Sequence, residues 1–509
     1  MFESQDTTPW YRSRSTMIGV SVCCAALALA LFYHFYGYRY FSDRDEHYSE
    51  LERHRAQQSA LDANAPPPAA AAEQTAAPNQ NTPATAEIPG QPPAANAPAN
   101  GANAVAANGQ PDANHPVAPA ASSARNYWTN FRGPNRDGRY EERAVKVNWP
   151  AGGLKPMWKQ PVGGGFSSFV VADSTAYTIE QRRAQEVVVA YNVETGRELW
   201  AHGWNAEFSP DNTGDGPRST PTWDAGRLYA LGAEGELRVL DAKTGKLHWQ
   251  KNILSDNGAS NIQWGMAASP LIVDDKVVVL AGGTSGKGVV AYNKMTGARV
   301  WSSMNDRASY TSPMLVTLAG KRQILVVTAS HIAGLDPADG AALWSHPWDV
   351  SYGINVSQPL VVGANRFLIT AGYGKGAALV ELQGSGRSFT PKVVWENINL
   401  KTKFNSPVVH NGHAYGLDEG ILTCVDLATG ERKWKGGRYG YGQVLLASNH
   451  LIVTTDAGEI VLVKADPAGY AEVTKFSALS GKTWNVPALA NGRLLVRNGN
   501  EMAAYNLSE

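Results

Sequence analysis

The chain has 509 residues, 43% of them hydrophobic and 18% charged, and its 45 basic and 45 acidic side chains cancel. That balance gives no electrostatic case for a nucleic-acid partner, which calls for a basic stripe. Three cysteines, two of them adjacent at Cys23 and Cys24 and one alone at Cys424, exclude a disulfide framework, and no Cys-x-x-Cys spacing supports structural zinc or attached haem.

Residues 15–38 hold no Asp, Glu, Lys or Arg, and 17–33 are strongly apolar, close to the roughly 20 residues that cross a bilayer as a helix. Arg12 and Arg14 precede this stretch and predict that residues 1–16 stay in the cytoplasm while the rest is exported. The expectation is a signal anchor over 17–37, placing the protein in the inner membrane as a single-pass chain with its main domain in the periplasm. A cleaved signal peptide, with Ala28-Leu29-Ala30 before the cut, is the rival reading.

Residues 38–125 are expected to form a linker. From about 56 onward they are Ala, Pro, Asn, Gln and Gly with almost no aromatics, too little apolar surface to offset chain entropy, so most of the linker is expected to be disordered. About 65 such residues reach near 45 Å on average, a tether for the following domain.

From 126 to 509 the sequence repeats itself. One unit reads Ala190-Tyr191-Asn192-Val193-Glu194-Thr195-Gly196-Arg197-Glu198-Leu199-Trp200 and recurs over 240–249, 291–301, 335–344 and 425–434, with less regular copies over 380–395, 463–476 and 504–507. A second unit is a Ser/Thr-Pro step opening an apolar run, as at Thr220-Pro221, Ser269-Pro270, Ser312-Pro313 and Ser406-Pro407. Gln358-Pro359 and Val486-Pro487 are variants, and 167–169 and 443–445 sit where Pro-less copies belong, making eight. Hairpin turns such as Asn411-Gly412 and Asn491-Gly492 follow each step. The Trp residues recur roughly every 40–50 positions, the length of a four-stranded propeller blade. A lone sheet of that size has two faces to bury, and radial stacking buries both. The fold class is therefore all-β, an eight-bladed β-propeller of four-stranded antiparallel blades. The last unit lacks a Trp strand and Trp158 lacks inner strands, so the Trp158 strand is expected to complete the final blade.

These repeats resemble the quinoprotein-like, pyrroloquinoline-quinone (PQQ)-type β-propeller repeats, whose signature is Ala-x-Asp-x-x-Thr-Gly-x-x-x-Trp, over roughly 127–507. The opening Trp128-x-x-Phe131-Arg132-Gly133-Pro134-Asn135-Arg136-Asp137-Gly138 is similar to the start of BamB-like bacterial propellers. The resemblance implies a non-catalytic scaffold with protein or peptide partners in the cell envelope, in outer-membrane protein assembly or a related complex, with no cofactor. The alternative it implies is a PQQ-dependent oxidoreductase acting on alcohols or sugars, with PQQ and calcium as cofactors. Dehydrogenases of this class carry a vicinal disulfide on the quinone, and the only adjacent cysteines here, Cys23-Cys24, lie far from any blade. A carbohydrate-binding propeller is a third reading.

In a propeller the segments before the innermost strands line one mouth of the channel. They place Arg218, Trp264, Arg307, Tyr310, Asn355, Lys403, Asn405, Tyr441, Gln443, Lys482 and Trp484 there as ligand- or partner-binding candidates. Converging cations between aromatic walls make an anion-favouring funnel suited to a peptide, an acidic glycan or a carboxylate. The plainer reading is that these residues close loops and pair with Asp306, Asp418 or Glu419. No catalytic residue and no metal ligand is proposed from the sequence: Gly372-Tyr373-Gly374-Lys375-Gly376 reads as a hairpin turn, and the His410/His413 pair as turn residues.

Overall fold

The computed structural model describes residues 43–61, 128–210 and 214–509. The expected span over 17–37 and the stretch 62–125 lie outside them. Eight sheets succeed one another, each built on four antiparallel strands that run in sequence order from the inner edge outward in the first seven, the seventh gaining a short fifth strand at its inner edge. The first seven blades run from Val170–Ala172 through Glu472–Ser477. The eighth combines Ala488–Ala490, Arg493–Arg497 and Glu501–Asn506 with Pro156–Pro161 as its outer strand, Trp158 opposite Ala504. The predicted closure is therefore present, and it leaves the ring no open end.

Both sequence repeats have a mechanical role. The Ser/Thr of the Ser/Thr-Pro step links blade to blade: the Ser168 N–H donates to Thr220 Oγ1 at 2.9 Å, Thr220 N–H to Ser269 Oγ at 3.0 Å, and Ser269 N–H to Ser312 Oγ at 2.8 Å. The Ser312 N–H then donates to Gln358 Oε1 at 2.8 Å, and the Gln358 N–H to Ser406 Oγ at 3.0 Å. Proline follows because that position needs no N–H of its own, while the preceding hydroxyl serves a neighbour.

In the second repeat an Asx turn holds the Thr-Gly. Asp241 Oδ1 accepts from Thr244 N–H at 2.8 Å and from its hydroxyl at 2.7 Å. The Trp of one blade then covers the Thr-Gly turn of the next, as Trp200 Nε1–H donates to Ala242 O at 3.1 Å with its ring over Gly245. Trp158 does the same to Gly196 of the first blade, donating to Val193 O at 2.8 Å. Gly245 is obligatory twice over: its φ is +72°, and an added Cβ would stand 2.6 Å from the Trp200 ring. Replacing Gly245 by Ala is expected to destabilise the protein by about 2–4 kcal/mol, measured by urea unfolding. A loss near the ordinary Gly→Ala range would show that the joint is loose. Blade five breaks the rule, since its outer hairpin is a ten-residue pair, Gly376–Ser385 with Ser388–Asn397. Trp344 accordingly finds Gln323 Oε1 at 2.6 Å and stacks on Phe367.

Two features were not foreseen. Residues 43–61, inside the expected linker, form a helix. Tyr48 and Leu51 are each 3% exposed, and Arg44, His47, Arg55 and Gln58 share their face at helical spacing. On one side His47 Nε2 meets Val162 O at 2.9 Å and Gln58 meets Gln160 at 3.4 Å, both on or beside the closing strand. On the other, Arg55 pairs with Glu198 at 2.8 Å and Arg183 with Glu52 at 2.7 Å. The helix thus lies across the seam between the last blade and the first.

The second feature is the segment 128–140, which crosses the ring axis. Trp128 O and Thr129 O accept from Val171 and Trp223 of blades one and two, and Arg139–Tyr140 pairs in parallel with Leu446 and Ala447 of blade seven. Arg136 is fully buried and donates to Ser269 O and Pro313 O at 3.0 Å each, to Pro270 O, and to Thr222 Oγ1 at 3.2 Å. Arg132, also buried, reaches Pro407 O at 3.0 Å. Carbonyls from opposite sides of the ring converge on two guanidinium groups and close the channel.

Candidate functional site

The ring of hydrogen-bonding side chains fixes the register of every blade. Two positions before the residue that opens each blade, whether Ser, Thr, Gln or Val486, stand Phe166, Arg218, Ala267, Tyr310, Val356, Phe404, Tyr441 and Trp484, a collar in which five of eight are aromatic. The rings touch in sequence: Phe166 stacks on Trp484 at 5.9 Å between centroids, Trp484 on Phe404 at 5.2 Å, and Phe404 meets Tyr441 edge-on at 5.0 Å. Tyr373 adds a further edge at 6.4 Å from Phe404, and Trp264 leans on Tyr310 at 5.8 Å.

Cations lie on these faces. Lys482 Nζ is 3.8 Å from the Trp484 centroid, and Lys403 Nζ is 4.8 Å and 5.1 Å from those of Tyr373 and Tyr441. The Arg218 guanidinium sits between Phe166 and Phe208 at 5.2 and 4.8 Å and donates to Gly214 O at 2.8 Å. Burial pulls Arg218 down to about 10. It also lowers Lys482, helped by the nearby Arg218 charge. Arg218 remains a cation at neutral pH. Arg307 is exposed at the rim.

Asp215 lies close enough to Arg218 to favour its charge, whereas two of the three acids proposed to neutralise the mouth, Asp306 and Asp418, are engaged elsewhere. Asp306 accepts from the Thr328 and Ser330 hydroxyls at 2.6 and 2.7 Å, which hold it below the usual carboxylate range despite its burial. Asp418 pairs with Lys401 at 2.9 Å and with Lys435. Among the described residues no ion pair joins Arg307 or Lys403 to a carboxylate. Around Arg307 and Lys403 the mouth is therefore a cationic aromatic surface.

Eight of the eleven sequence candidates, Arg218, Trp264, Arg307, Tyr310, Lys403, Tyr441, Lys482 and Trp484, stand at this surface at least partly exposed. Asn355, Asn405 and Gln443 do not. Asn355 is buried against Thr328 O at 3.0 Å, Asn405 exchanges hydrogen bonds with the Leu417 backbone, and Gln443 ties Phe404 O to Trp484 O at 2.9 Å each. They brace the collar. Phe166, Phe208 and Tyr373 were not among the candidates, nor was Phe404. Aligning the blades on the Ser/Thr-Pro step puts Phe166 and Phe404 in one register with Tyr310, Tyr441 and Trp484, a signal already in the sequence.

The donor set does not suit PQQ with calcium. A calcium site needs several oxygen ligands, commonly carboxylates. This mouth offers cations and ring faces, and among the described residues no group of three His, Cys, Asp or Glu is placed to hold a metal. Cys424 is buried and unpaired, and burial pushes its thiol up to about 12.

The family model described as outer membrane protein assembly factor BamB matches residues 183–436. The chain is similar to the outer membrane protein assembly factor BamB of Bordetella pertussis, 22% identical over 382 residues, covering 72% of this chain and 89% of that protein. It is also similar to that of Yersinia pestis, 23% identical over 296 residues, covering 54% and 70%. Among solved structures, a quinohemoprotein alcohol dehydrogenase from Pseudomonas putida HK5 shares the fold at 13% identity and a TM-score of 0.52, over 78% of this chain and 83% of that one. These relatives correct the expected inner-membrane location, for both are named for the outer membrane. Among the described residues no helix is long and apolar enough to cross a membrane. The error has a physical source: an apolar N-terminal stretch reports export and does not specify the membrane at which the exported domain works. Repeat, ring closure and relatives agree, and the chain is a PQQ-type β-propeller repeat protein, BamB-like.

Proposed function

We propose that the protein is a binding scaffold in outer-membrane protein assembly, with residues 126–509 as its binding domain and the cationic aromatic mouth as a partner surface. The likeness to assembly factors over 72% of the chain carries this reading. The mouth supports it, since a rigid ring presents its side chains pre-ordered and little entropy is lost on binding. Affinity capture with the full chain from bacterial envelopes is expected to recover outer-membrane assembly proteins, and Arg218→Glu or Arg307→Glu to reduce the yield. Capture of no such proteins overturns the reading. The oxidoreductase alternative is tested by adding PQQ with calcium and an alcohol or sugar: dye reduction with turnover would replace the scaffold reading, and none is expected.

A further inference from the structure

We infer that the collar at the mouth is a docking site for an acidic peptide segment bearing aromatic or other apolar side chains, engaged from one face only. The inference rests on the scaffold reading and names the chemistry of its ligand.

Three observations carry it. The first is charge: among the described residues no ion pair joins Arg307 or Lys403 to a carboxylate, and the nearby Asp306 and Asp418 are satisfied by other groups. The second is pattern. Lys403 and Lys482 each lie on an aromatic face at 3.8–5.1 Å, so a cation and ring area stand together at each of these points of the mouth. A carboxylate beside an apolar side chain answers both at once. A uniformly charged polyanion meets the cations and leaves the rings uncovered, and a neutral sugar meets the rings and leaves the cations. The third is the closed axis. Arg132 and Arg136 are pinned to carbonyls directly beneath the Ser/Thr ring, so no chain threads the propeller. The ligand lies across the collar or enters as a turn or an end.

The test uses a fluorescein-labelled synthetic peptide built from the repeat Glu-Glu-Phe-Phe, so that either face of an extended chain carries both side chains, titrated with the full chain and read by anisotropy. Saturable binding is expected, weakened by added salt as the Debye length shrinks toward about 8 Å. Lys403→Glu combined with Lys482→Glu is expected to weaken it roughly tenfold or more. Both side chains reach solvent, and an unchanged melting temperature confirms that the variant is folded. Equal binding of a Lys/Phe peptide, of polyphosphate or of a neutral oligosaccharide overturns the inference, as does a double variant that binds like the original. Capture of assembly proteins by a chain that ignores the peptide removes this inference and leaves the scaffold reading standing. Failure of capture with the peptide still bound does the reverse.

Discussion

Replacing Arg136 by Ala is expected to lower the unfolding free energy by about 3–5 kcal/mol. The side chain is fully buried and donates to Ser269 O, Pro270 O and Pro313 O, groups from adjacent blades that point at the axis. Its removal strands those acceptors and opens a void the size of the side chain. The opposing effect is the cost of burying a charge, visible in a pKa that burial pulls down to about 9. The carbonyls win because their alternative is no partner at all, and at neutral pH the guanidinium is still protonated. Arg136→Lys is expected to recover only part of the loss, since a single ammonium cannot fork toward several carbonyls. Urea unfolding of the three proteins decides it, and a loss below about 1 kcal/mol for the Ala variant would mean that the axis is not braced this way.

The second large effect depends on pH. Glu186, on the first blade, reaches across to the second, where its Oε1 accepts from the Ala233 N–H at 2.8 Å. Its other oxygen is buried and meets no donor among the described residues. Burial raises its pKa from 4.5 to about 7; the Ala233 bond and Arg218 pull the other way, while Glu234 and Glu236 add to the rise. Between those two values the folded chain keeps a proton that the unfolded chain releases, so stability falls as pH rises through that window. Glu186→Gln removes the penalty. The variant is expected to be more stable than the original by roughly 2–3 kcal/mol at pH 8, with the advantage largely gone near pH 5. Parallel unfolding curves at both pH values would refute the buried-carboxylate account.

Much of the ring was legible because the sequence prints similar residue types at the same step of most blades. Thr-Gly and Trp repeat because a ring face meets a Cβ-free turn at the regular joints, blade five excepted. The Trp158 closure followed from counting strands. Burial direction was less legible. Asn355, Asn405 and Gln443 occupy mouth segments, yet an amide beside a strand start serves backbone groups as readily as a ligand, and only the fold decides which. The helix over 43–61 escaped because it repeats nothing and borders an Ala/Pro-rich stretch. Its signal, Arg44, Tyr48, Leu51, Arg55 and Gln58 on one face, means little until a groove exists to receive it. The segment 128–140 was seen only as a family likeness, since its arginines acquire their roles from carbonyls as much as 275 positions away.

The seam helix also has a bearing on mechanical load. Tension applied upstream of residue 43 enters the ring through contacts that span two sheets, and the closing strand carries none of it at first. A tug on the N-terminal end would therefore load surface ion pairs before it strains the closing strand.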